Sequence, residues 1–424
     1  MTDQSQGAKN LPSVKIIGRA GSATAYKIRD YLQRSDVPFE WIEVASDQQA
    51  RTQAGVDNLR DPRLPVCIFS DGIRMECPTV RQITEKLGWF RDPSLSQYDL
   101  AIYGAGPAGL SAAVYGASEG LKTVVIERSA VGGQAGTTSR IENYLGFPTG
   151  ISGADLAERA REQACRFGAE FLLLREGVRG EFLPGKAVGY LADGTKIIAR
   201  SSICATGVQY RRLNLPNEQK FLGAGVYYGA GVSEASLCGN DDVAIVGGGN
   251  SAGQAAMNFS RFARTVMVII REDALKSTLS HYLIDRIDAA KNITVLCNTE
   301  VTQLHGDQML QSLTLTNNKT GETRNLPTKG LFICIGGVPQ TDWAKQAGII
   351  RDEGGYLVTG PDMLKGGQFP ASWPLERSPY YLETNIPGVF AAGDVRHGAV
   401  KRCASAVGEG AMAVTFVHRY LAES

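Results

Sequence analysis

The sequence predicts an α/β protein of three domains, two of them built alike, and three observations lead to this prediction. A strand, a glycine-rich loop and an alanine-rich helix occur in this order twice, around residues 98–127 and 241–271. A shorter alternation of strands and helices precedes both, over residues 13–90. The length of 424 residues exceeds what one hydrophobic core normally serves. We therefore expect two Rossmann-like domains of three-layer ββα architecture and a small α/β domain before them.

The first segment, residues 13–90, has the pattern of a small sheet covered by helices. VKIIG and FEWIEV predict strands, and between them Ala25, Ile28, Tyr31 and Leu32 recur at helical spacing. LPVCIF and IRMEC, separated by a Ser-Asp-Gly turn, predict a hairpin, and VRQITEKLGW predicts a closing helix. The resulting order, βαβ followed by ββα, resembles that of thioredoxin-like and glutaredoxin-like domains.

This segment lacks the thiols that such domains use. The resemblance places the redox cysteines after the first strand, where residues 18–22 are Gly-Arg-Ala-Gly-Ser, and it places a cis-proline at Leu64-Pro65. Cys67 and Cys77 belong to the predicted hairpin. Two alternatives remain open for them, a disulfide or two reduced thiols in a cytoplasmic protein. Residues 91–97 predict a linker to the next domain.

The first glycine-rich loop has the parts of a dinucleotide site. A strand over residues 99–103 leads into Gly104-x-Gly106-x-x-Gly109, an alanine-rich helix follows, and a second strand ends at Glu127. The glycines permit a tight turn and close approach to a pyrophosphate, and the helix N-terminus offers backbone N–H groups. Glu127 is placed to accept hydrogen bonds from ribose hydroxyls. The complete set of parts distinguishes this loop from an ordinary turn.

The second loop repeats this plan. A strand that ends at Val246 leads into Gly247-x-Gly249-x-x-Ala252, and an alanine-rich helix and a strand ending near Arg271 follow. The distance along the chain between the two loops is long enough for a separate nucleotide domain inserted into the first. The sequence therefore predicts two dinucleotide sites.

Several motifs in a fixed order then point to one family. Besides the two loops they are GGQAG, IENYLGFP, ATG and VFAAGDV, which begin at Gly132, Ile141, Ala205 and Val389. Over residues 98–424 the chain resembles thioredoxin reductase-like flavoproteins of the pyridine nucleotide-disulfide oxidoreductase superfamily. The resemblance implies an FAD-binding domain at 98–216 and 337–424, with an NAD(P)-binding domain at 217–336. It also implies a homodimer.

The resemblance assigns the FAD contacts region by region. The pyrophosphate would be cradled by Gly104, Gly106, Pro107, Ala108 and Gly109, and the adenosine ribose would be held by Glu127. The flavin and its ribityl chain would meet Gly133, Gln134, Asn143, Ala205, Thr206, Gly207, Gly393 and Asp394. The edge of the isoalloxazine would meet backbone groups of Arg402, Cys403 and Ala404, although the family usually has Gln at position 403.

The same resemblance assigns a nicotinamide site to the second loop. Its pyrophosphate contacts would be Gly247, Gly249, Asn250, Ser251 and Ala252. Thioredoxin reductases bind the 2′-phosphate of NADPH with a His-Arg-Arg run, because a dianion is held by several guanidinium donors. Here Arg271 and Lys276 remain, whereas Glu272 suits the free ribose of NADH. NADPH is favoured, and NADH stays open.

The chain departs from the family at the redox disulfide. In the family the flavin reduces a nearby Cys-x-x-Cys. Aligned on that segment, this chain has Gly229 and Val232, and the next thiol, Cys238, has no second cysteine beside it. We therefore expect that thioredoxin is not the acceptor.

The sequence assigns no catalytic side chain, and four residues are candidates. His397 follows the Gly393-Asp394 loop and either tunes the flavin or is an ordinary loop residue. Tyr227 and Tyr228 either pack on the flavin or are ordinary strand aromatics, and Cys238 is by default a core or surface thiol.

The leading hypothesis is an FAD-dependent oxidoreductase in which a hydride passes from NAD(P)H to FAD and electrons pass on to an unidentified acceptor. That acceptor would be a small redox protein, a quinone or a partner disulfide. Two alternatives are a flavin-based redox sensor or docking protein with little turnover, and a ferredoxin or flavodoxin-NADP reductase-like enzyme.

Composition limits the other partners. Forty-four Lys and Arg against 43 Asp and Glu give a net charge of +1, which offers no electrostatic basis for binding nucleic acid or an anionic membrane. The cysteines stand singly, without the paired spacing of a zinc site, so no metal is expected. The polar start MTDQSQGAKN lacks the apolar core of a secretory signal, and no apolar run is long enough to span a bilayer. A cytoplasmic location is expected.

Overall fold

The chain forms two compact units in a computed structural model that describes residues 13–138, 141, 143–183, 185–229, 239–275, 279–307 and 309–423. The first unit contains Met1–Ile83 and Tyr210–Gly336, and the second contains Thr84–Gln209 and Gly337–Ser424. Within the first unit, residues 13–83 are called the N-terminal region and residues 210–336 the middle region.

Strands and helices alternate through most of the described chain. The strands are β1 Val14–Gly18, β2 Phe39–Glu43, β3 Val66–Phe69, β4 Arg74–Glu76, β5 Tyr98–Tyr103, β6 Thr123–Glu127, β7 Glu170–Leu173, β8 Gly177–Leu183, β9 Lys186–Leu191, β10 Lys196–Cys204, β11 Gln209–Tyr210, β12 Val226–Tyr228, β13 Asp242–Val246, β14 Thr265–Ile269, β15 Ile293–Leu296, β16 Thr299–Gly306, β17 Leu310–Asn317, β18 Thr323–Pro327, β19 Gly330–Ile333, β20 Gly337–Val338 and β21 Val389–Ala391. The α-helices are α1 Ala23–Arg34, α2 Asp47–Gln49, α3 Val80–Lys86, α4 Pro107–Ser118, α5 Gly153–Arg166, α6 Glu218–Phe221, α7 Asn250–Phe259, α8 His281–Ala289, α9 Asp342–Gln346 and α10 Cys403–Glu423.

The N-terminal region has a sheet in the order β2-β1-β3-β4, with β1 parallel to β2 and antiparallel to β3. Helix α1 buries the four positions expected from their spacing, Ala25, Ile28, Tyr31 and Leu32. The Leu64-Pro65 peptide bond is cis, and Cys67 and Cys77 are both free thiols. Helix α2 and the π-helical turn Ala50–Ala54 that continues it are not predicted from the sequence. That polar segment buries only small side chains, so it shows no strong apolar period.

The second unit contains the first glycine-rich loop. Its sheet runs β7-β6-β5-β10-β9-β8, and β21 pairs with β10. Strands β5, β6, β7, β10 and β21 are parallel to their neighbours in that series, so their carboxyl ends meet at one edge. The first loop leaves β5 at this edge, where ligands of parallel sheets bind.

Two helices of the second unit, α4 and α10, pack closely because small residues line their contact. A Cβ placed on Gly410 of α10 would lie 2.1 Å from the carbonyl oxygen of Ala108 in α4, so only glycine allows this approach. Ala112, Ala113, Ala406 and Ala413 belong to the same core. In the described part of the chain, no helix has both the length and the apolar character that a bilayer span requires.

The middle region contains a parallel sheet in the order β12-β19-β13-β14-β15. Helix α7 follows β13 and packs on one face, where Phe259, Phe332 and Leu283 are buried. An antiparallel sheet, β16-β17-β18, contributes Leu304 and Leu313 to a second core. The second glycine-rich loop therefore also leaves a central parallel strand at its carboxyl end.

Candidate functional site

The first glycine-rich loop turns sharply between β5 and α4. Gly104 has a φ of +104°, and a Cβ there would lie 2.4 Å from the carbonyl oxygen of Ala205, so this position requires glycine. Gly106 precedes Pro107, the first residue of α4, and no side chain caps the helix N-terminus. A Cβ on Gly106 would be 3.9 Å from its nearest neighbour, the Cα of Gly133. The α4 N-terminus thus faces a glycine-lined approach, which suits a phosphate.

Glu127 ends β6 beside this loop. Its carboxylate is buried and accepts hydrogen bonds from the backbone N–H of Ala105 at 2.7 Å and of Ser129 at 2.8 Å. Two hydrogen bonds use about half of the lone pairs that a carboxylate offers. The same group therefore organises the loop and retains acceptor capacity for ribose hydroxyls.

The GGQAG and ATG motifs meet beside the first loop. A Cβ on Gly133 would lie 3.1 Å from the Cα of Gly106, and the Gln134 side-chain amide donates to the carbonyl oxygen of Val208 at 2.6 Å. Val208 directly follows Ala205, Thr206 and Gly207. The structure thus brings Gly106, Gly133 and the ATG segment together, as a shared ligand would require.

Asp394 lies at the same end of the unit. A Cβ on its neighbour Gly393 would be 3.0 Å from the Cβ of Ala108, which packs this loop against the first turn of α4. Burial raises the pKa of the Asp394 carboxyl, with Lys401 opposing and Glu409 adding to the shift. Within the described part of the chain, no donor forms a hydrogen bond to this carboxylate. A half-buried acceptor of this kind suits a hydroxyl-bearing ligand.

Sequence reasoning missed the pair that holds the Asp394 loop. Glu409 of α10 accepts from the backbone N–H of Gly393 at 2.7 Å and from the Arg396 guanidinium at 2.7 Å. Arg396 is buried, and this contact raises its pKa against the opposing effect of burial. The sequence signal for this pair is Glu409, an acidic residue among the small residues at the start of α10.

Helix α10 begins at Cys403, beside Asp394. Burial and the nearby Asp394 carboxylate raise the pKa of the Cys403 thiol to about 11. Tyr144 lies near this thiol, and burial together with Cys403 raises the pKa of its hydroxyl. Asn143, by contrast, is exposed, as are Arg402 and Ala404. Of the three residues proposed for the isoalloxazine edge, Cys403 is thus the least exposed.

The second loop repeats the geometry of the first. Gly247 has a φ of +138°, and a Cβ there would lie 2.3 Å from the carbonyl oxygen of Cys334. A Cβ on Gly249 would meet no atom within 4 Å, so no side chain covers the start of α7. The Asn250 side chain accepts from the backbone N–H of Ser280 at 2.8 Å, Ala252 is buried and Ser251 is exposed. This helix N-terminus also suits a phosphate.

The residues proposed to choose between NADPH and NADH are only partly described. Arg271 and Glu272 follow β14 and are exposed, and their backbone carbonyls accept from Asn318 and Asn298. Lys276 lies outside the described residues, as does Cys238. An exposed guanidinium at this strand end is available to a phosphate group.

The other catalytic candidates that the structure describes, His397, Tyr227 and Tyr228, form contacts that stabilise the fold. His397 is 45% exposed, and its Nδ1 lies 2.6 Å from an Asp352 carboxylate oxygen. The Tyr228 hydroxyl donates to buried Glu218 at 2.7 Å and accepts from the backbone N–H of Leu213 at 2.9 Å. Burial and the Glu218 hydrogen bond raise the pKa of Tyr228. The ring of Tyr227 stacks on that of Phe332, with centroids 5.1 Å apart. These contacts account for the tyrosines as strand aromatics of the middle region.

Comparison with known proteins agrees with this arrangement. The family model described as pyridine nucleotide-disulphide oxidoreductase matches residues 98–410. The chain belongs to this family. A thioredoxin reductase from Streptomyces clavuligerus is 38% identical over 327 residues, which cover 76% of this chain and 94% of that protein.

Solved structures of this oxidoreductase family match over the same part of the chain. Lactococcus lactis thioredoxin reductase in its FR conformation is 31% identical, with a TM-score of 0.68 over 77% of this chain and 100% of that one. The thioredoxin reductase of T. acidophilum is 29% identical, with a TM-score of 0.67 over 78% of this chain and 99% of that one. The protein is thus a thioredoxin reductase-like oxidoreductase.

The family uses FAD and NADPH, and the residues present fit both. At the first loop the fit rests on the uncovered α4 N-terminus, the acceptor capacity of Glu127 and the Asp394 carboxylate. At the second loop it rests on the uncovered α7 N-terminus and on Arg271. Both loops therefore suit a dinucleotide.

Proposed function

We propose that this protein is an NAD(P)H-dependent FAD oxidoreductase whose electrons leave for an acceptor other than an internal Cys-x-x-Cys. When bound, FAD accepts a hydride from the nicotinamide and supplies electrons to the acceptor. The observation that carries the proposal is Gly229, which directly follows β12 and which the family resemblance aligns with the first cysteine of the motif. A glycine cannot carry electrons.

The thiols nearest the two loops do not replace that disulfide. Cys204, Cys334 and Cys403 are free, and burial raises the pKa of each, to about 12 for Cys334 and about 11 for Cys403. The thiolate is the reactive form of cysteine, so buried thiols with raised pKa are inert at neutral pH. Cys67 and Cys77 are also free, and burial raises the pKa of Cys67 to about 12.

This chain's own residues would hold and orient the two nucleotides. Gly104 to Gly109 and Glu127 would hold the FAD pyrophosphate and adenosine ribose, and Asp394 would accept from the ribityl chain. The start of α7 would hold the nicotinamide dinucleotide, with Arg271 beside the 2′-phosphate. The uncovered helix N-termini and the enclosed carboxylates support these roles. The domain limits, a homodimer and a cytoplasmic location stay predictions.

The acceptor would be a ferredoxin or flavodoxin, a quinone, or a partner disulfide met directly by the flavin. A second candidate function is a flavin-based redox sensor or docking protein. It is favoured by the contact between Tyr26 of the N-terminal region, which has no cysteine at residues 18–22, and Tyr227 of β12, whose rings are 5.3 Å apart. Substantial turnover distinguishes the first function from the second.

Anaerobic stopped-flow mixing with NADPH and with NADH tests the hydride step. We expect at least one nucleotide to bleach the bound flavin. A Gly247→Val variant should keep the flavin but resist bleaching, because its Cβ would lie 2.3 Å from the carbonyl oxygen of Cys334. Failure of both nucleotides to bleach the wild-type flavin contradicts the proposal.

Steady-state assays with ferredoxin, flavodoxin, a water-soluble quinone and oxidised thioredoxin test the second step. We expect NADPH turnover with at least one of the first three and none with thioredoxin. Thioredoxin reduction at the rate of an ordinary reductase would overturn the proposed exit of electrons. Bleaching without turnover on any of the four would favour the sensor.

A further inference from the structure

The N-terminal region contacts the middle region through one aromatic side chain of α1. The ring of Tyr26 lies 5.3 Å from that of Tyr227 in β12, at an interplanar angle of 54°. A Cβ placed on Gly223 would lie 2.8 Å from Cδ1 and 3.2 Å from Cβ of Tyr26. Tyr26 therefore rests on the backbone of Gly223 and beside β12, where a larger residue at 223 would displace it.

This contact continues into the core of the middle region. Tyr227 stacks on Phe332 with centroids 5.1 Å apart, and Phe332 meets Phe259 at 4.0 Å. Aromatic pairs favour tilted or offset arrangements with centroids about 4.5–7 Å apart, and both pairs that Tyr227 forms lie within this range. Tyr26 thus ends a column of rings that is anchored on fully buried phenylalanines.

A second contact comes from the loop that precedes α1. A Cβ on Gly21 would lie 2.6 Å from Cγ and 3.0 Å from Sδ of Met309 in the middle region. A methionine side chain adapts to an irregular surface and packs against it. Gly21 belongs to the Gly-Arg-Ala-Gly-Ser sequence of residues 18–22, where the resemblance to thioredoxin-like domains would place redox cysteines. The face of the N-terminal region that would carry redox chemistry is therefore the face turned to the middle region.

We infer that residues 18–26 are a tethered protein ligand of the middle region, anchored by Tyr26, and that they exclude a thioredoxin-like protein from the surface around β12. The inference rests on the proposed function for its premise that Gly229 stands in place of a redox cysteine and that thioredoxin is not the acceptor. A thioredoxin would approach the Gly229 end of β12, since the family resemblance aligns Gly229 with the first redox cysteine. Tyr26 and Gly21 already cover Tyr227, Gly223 and Met309 on this side. The N-terminal region has no thiol at residues 18–22, so these residues cover the surface around β12 without themselves exchanging disulfides.

An engineered disulfide tests the docked arrangement in the full chain. Disulfides join Cβ atoms about 3.5–4.5 Å apart, and Tyr26 Cβ is 3.2 Å from the Cβ position of Gly223, so an outward shift of about 0.3 Å brings the pair into range. The double variant Tyr26→Cys with Gly223→Cys also removes the ring that a side chain at 223 would strike. We expect mild oxidation to join these two residues, detected by peptide mapping, and neither single variant to form the link. Absence of the link in the oxidised double variant contradicts the docked arrangement.

A release variant tests the exclusion. Tyr26→Asp places a charge against an aromatic surface, whereas Lys27→Ala changes the exposed neighbour on the same helix and is the matched control. Hydrogen exchange should rise in residues 226–228 of Tyr26→Asp and stay at the wild-type level in Lys27→Ala. Labelled oxidised thioredoxin, used as the protein probe, should bind Tyr26→Asp at least about tenfold more tightly than the other two proteins.

Equal thioredoxin binding by the three proteins, or binding by none of them, overturns the exclusion. Unchanged exchange in residues 226–228 of Tyr26→Asp overturns the anchoring role of Tyr26. None of these readouts depends on flavin reduction. Bleaching by NADPH, measured on the same samples, shows separately whether the proposed oxidoreductase function stands.

Discussion

The two glycine-rich loops have nearly the same backbone and different surroundings. Gly104 and Gly247 both have a positive φ, and each lies against a carbonyl oxygen at the end of the neighbouring parallel strand. A Cβ on Gly104 would lie 2.4 Å from the carbonyl oxygen of Ala205, and one on Gly247 would lie 2.3 Å from that of Cys334. At the third motif position they differ. A Cβ on Gly109 would lie 1.8 Å from the Gly104 carbonyl oxygen, whereas the second loop has Ala252 there. The first loop is thus the tighter of the two.

The strand ends beside the loops differ more. Glu127 is buried and fixed by two backbone N–H groups, whereas Arg271 is exposed beyond the end of β14. A buried carboxylate pre-organises contacts to a ligand that stays in place, and an exposed guanidinium meets a ligand that comes and goes. Equivalent loops therefore support a retained cofactor on one sheet and an exchanging one on the other.

The largest effect is expected from Gly109→Ala. Its methyl group would lie 1.8 Å from the Gly104 carbonyl oxygen, a contact that forces α4 away from β5. Overpacking of this kind costs about 1–3 kcal/mol or more. We expect flavin content per chain, read from the absorbance of purified protein, to fall by at least about tenfold.

The reciprocal change, Ala252→Gly, is its matched control. It removes a methyl group from the second loop and costs about 1 kcal/mol of helix stability, with the flavin retained. A Gly109→Ala protein that keeps its full flavin content would show that the two loops are equally tolerant.

A smaller loss is expected from Glu127→Ala. The backbone N–H groups of buried Ala105 and half-buried Ser129 lose their acceptors, and an unsatisfied buried donor costs about 1–3 kcal/mol. We expect the Kd for FAD, measured by titration of flavin-free protein, to rise at least about tenfold. Glu127→Gln keeps one acceptor oxygen, so its Kd for FAD should lie between those of the wild-type protein and Glu127→Ala. An unchanged Kd in Glu127→Ala would remove the carboxylate from the first site.

Local pattern was enough to predict both strand–loop–helix units and the buried face of α1. Each depends on residues within a dozen positions, where periodicity and glycine spacing are direct signals. The Glu409 contact with Gly393 and Arg396 was missed because it joins a helix to a loop with no repeating pattern between them.

The Tyr26 contact was missed for a related reason. It depends on Gly223 and Tyr227, which lie in another region of the chain, and no local signal in α1 marks an outward tyrosine as a docking residue. A half-buried aromatic on a helix is equally compatible with an ordinary surface position. Contacts between regions depend on how the folded surfaces fit together, and a single sequence carries no local signal of that fit.

Arg271→Ala should give a moderate effect confined to the second site. An exposed guanidinium strengthens phosphate binding by charge-assisted hydrogen bonds, which solvent weakens at the surface. We expect the KM for NADPH to rise about three- to tenfold while the KM for NADH and the flavin content stay unchanged. Lys329→Ala, which removes an exposed lysine of the middle region paired with Asp241, is the control for net charge. A parallel rise of both KM values would argue against recognition of the 2′-phosphate.

The smallest effect concerns the pH dependence of the first site. Burial raises the pKa of Asp394, so the folded, flavin-free protein binds this proton more tightly than the unfolded chain does. The free energy of unfolding therefore falls as pH rises above 3.8, the ordinary pKa of the group, and Asp394→Asn should remove that fall. Urea unfolding of flavin-free protein across this range measures the difference, which should grow with pH.

Asp352→Asn should change the free energy of unfolding in the opposite direction. Although burial opposes it, the hydrogen bond with His397 leaves the pKa of Asp352 below its ordinary value, so this carboxylate stabilises the fold above that value and loses its effect in acid. The Asn substitution should therefore destabilise the flavin-free protein at neutral pH, where Asp394→Asn stabilises it. If Asp394 serves the ribityl chain, its substitution must also weaken FAD binding at the pH at which it stabilises the flavin-free protein. Stabilisation with undiminished FAD affinity would show that Asp394 does not bind the ribityl chain. It would also remove from the first site a group that has no counterpart among the residues assigned to the second.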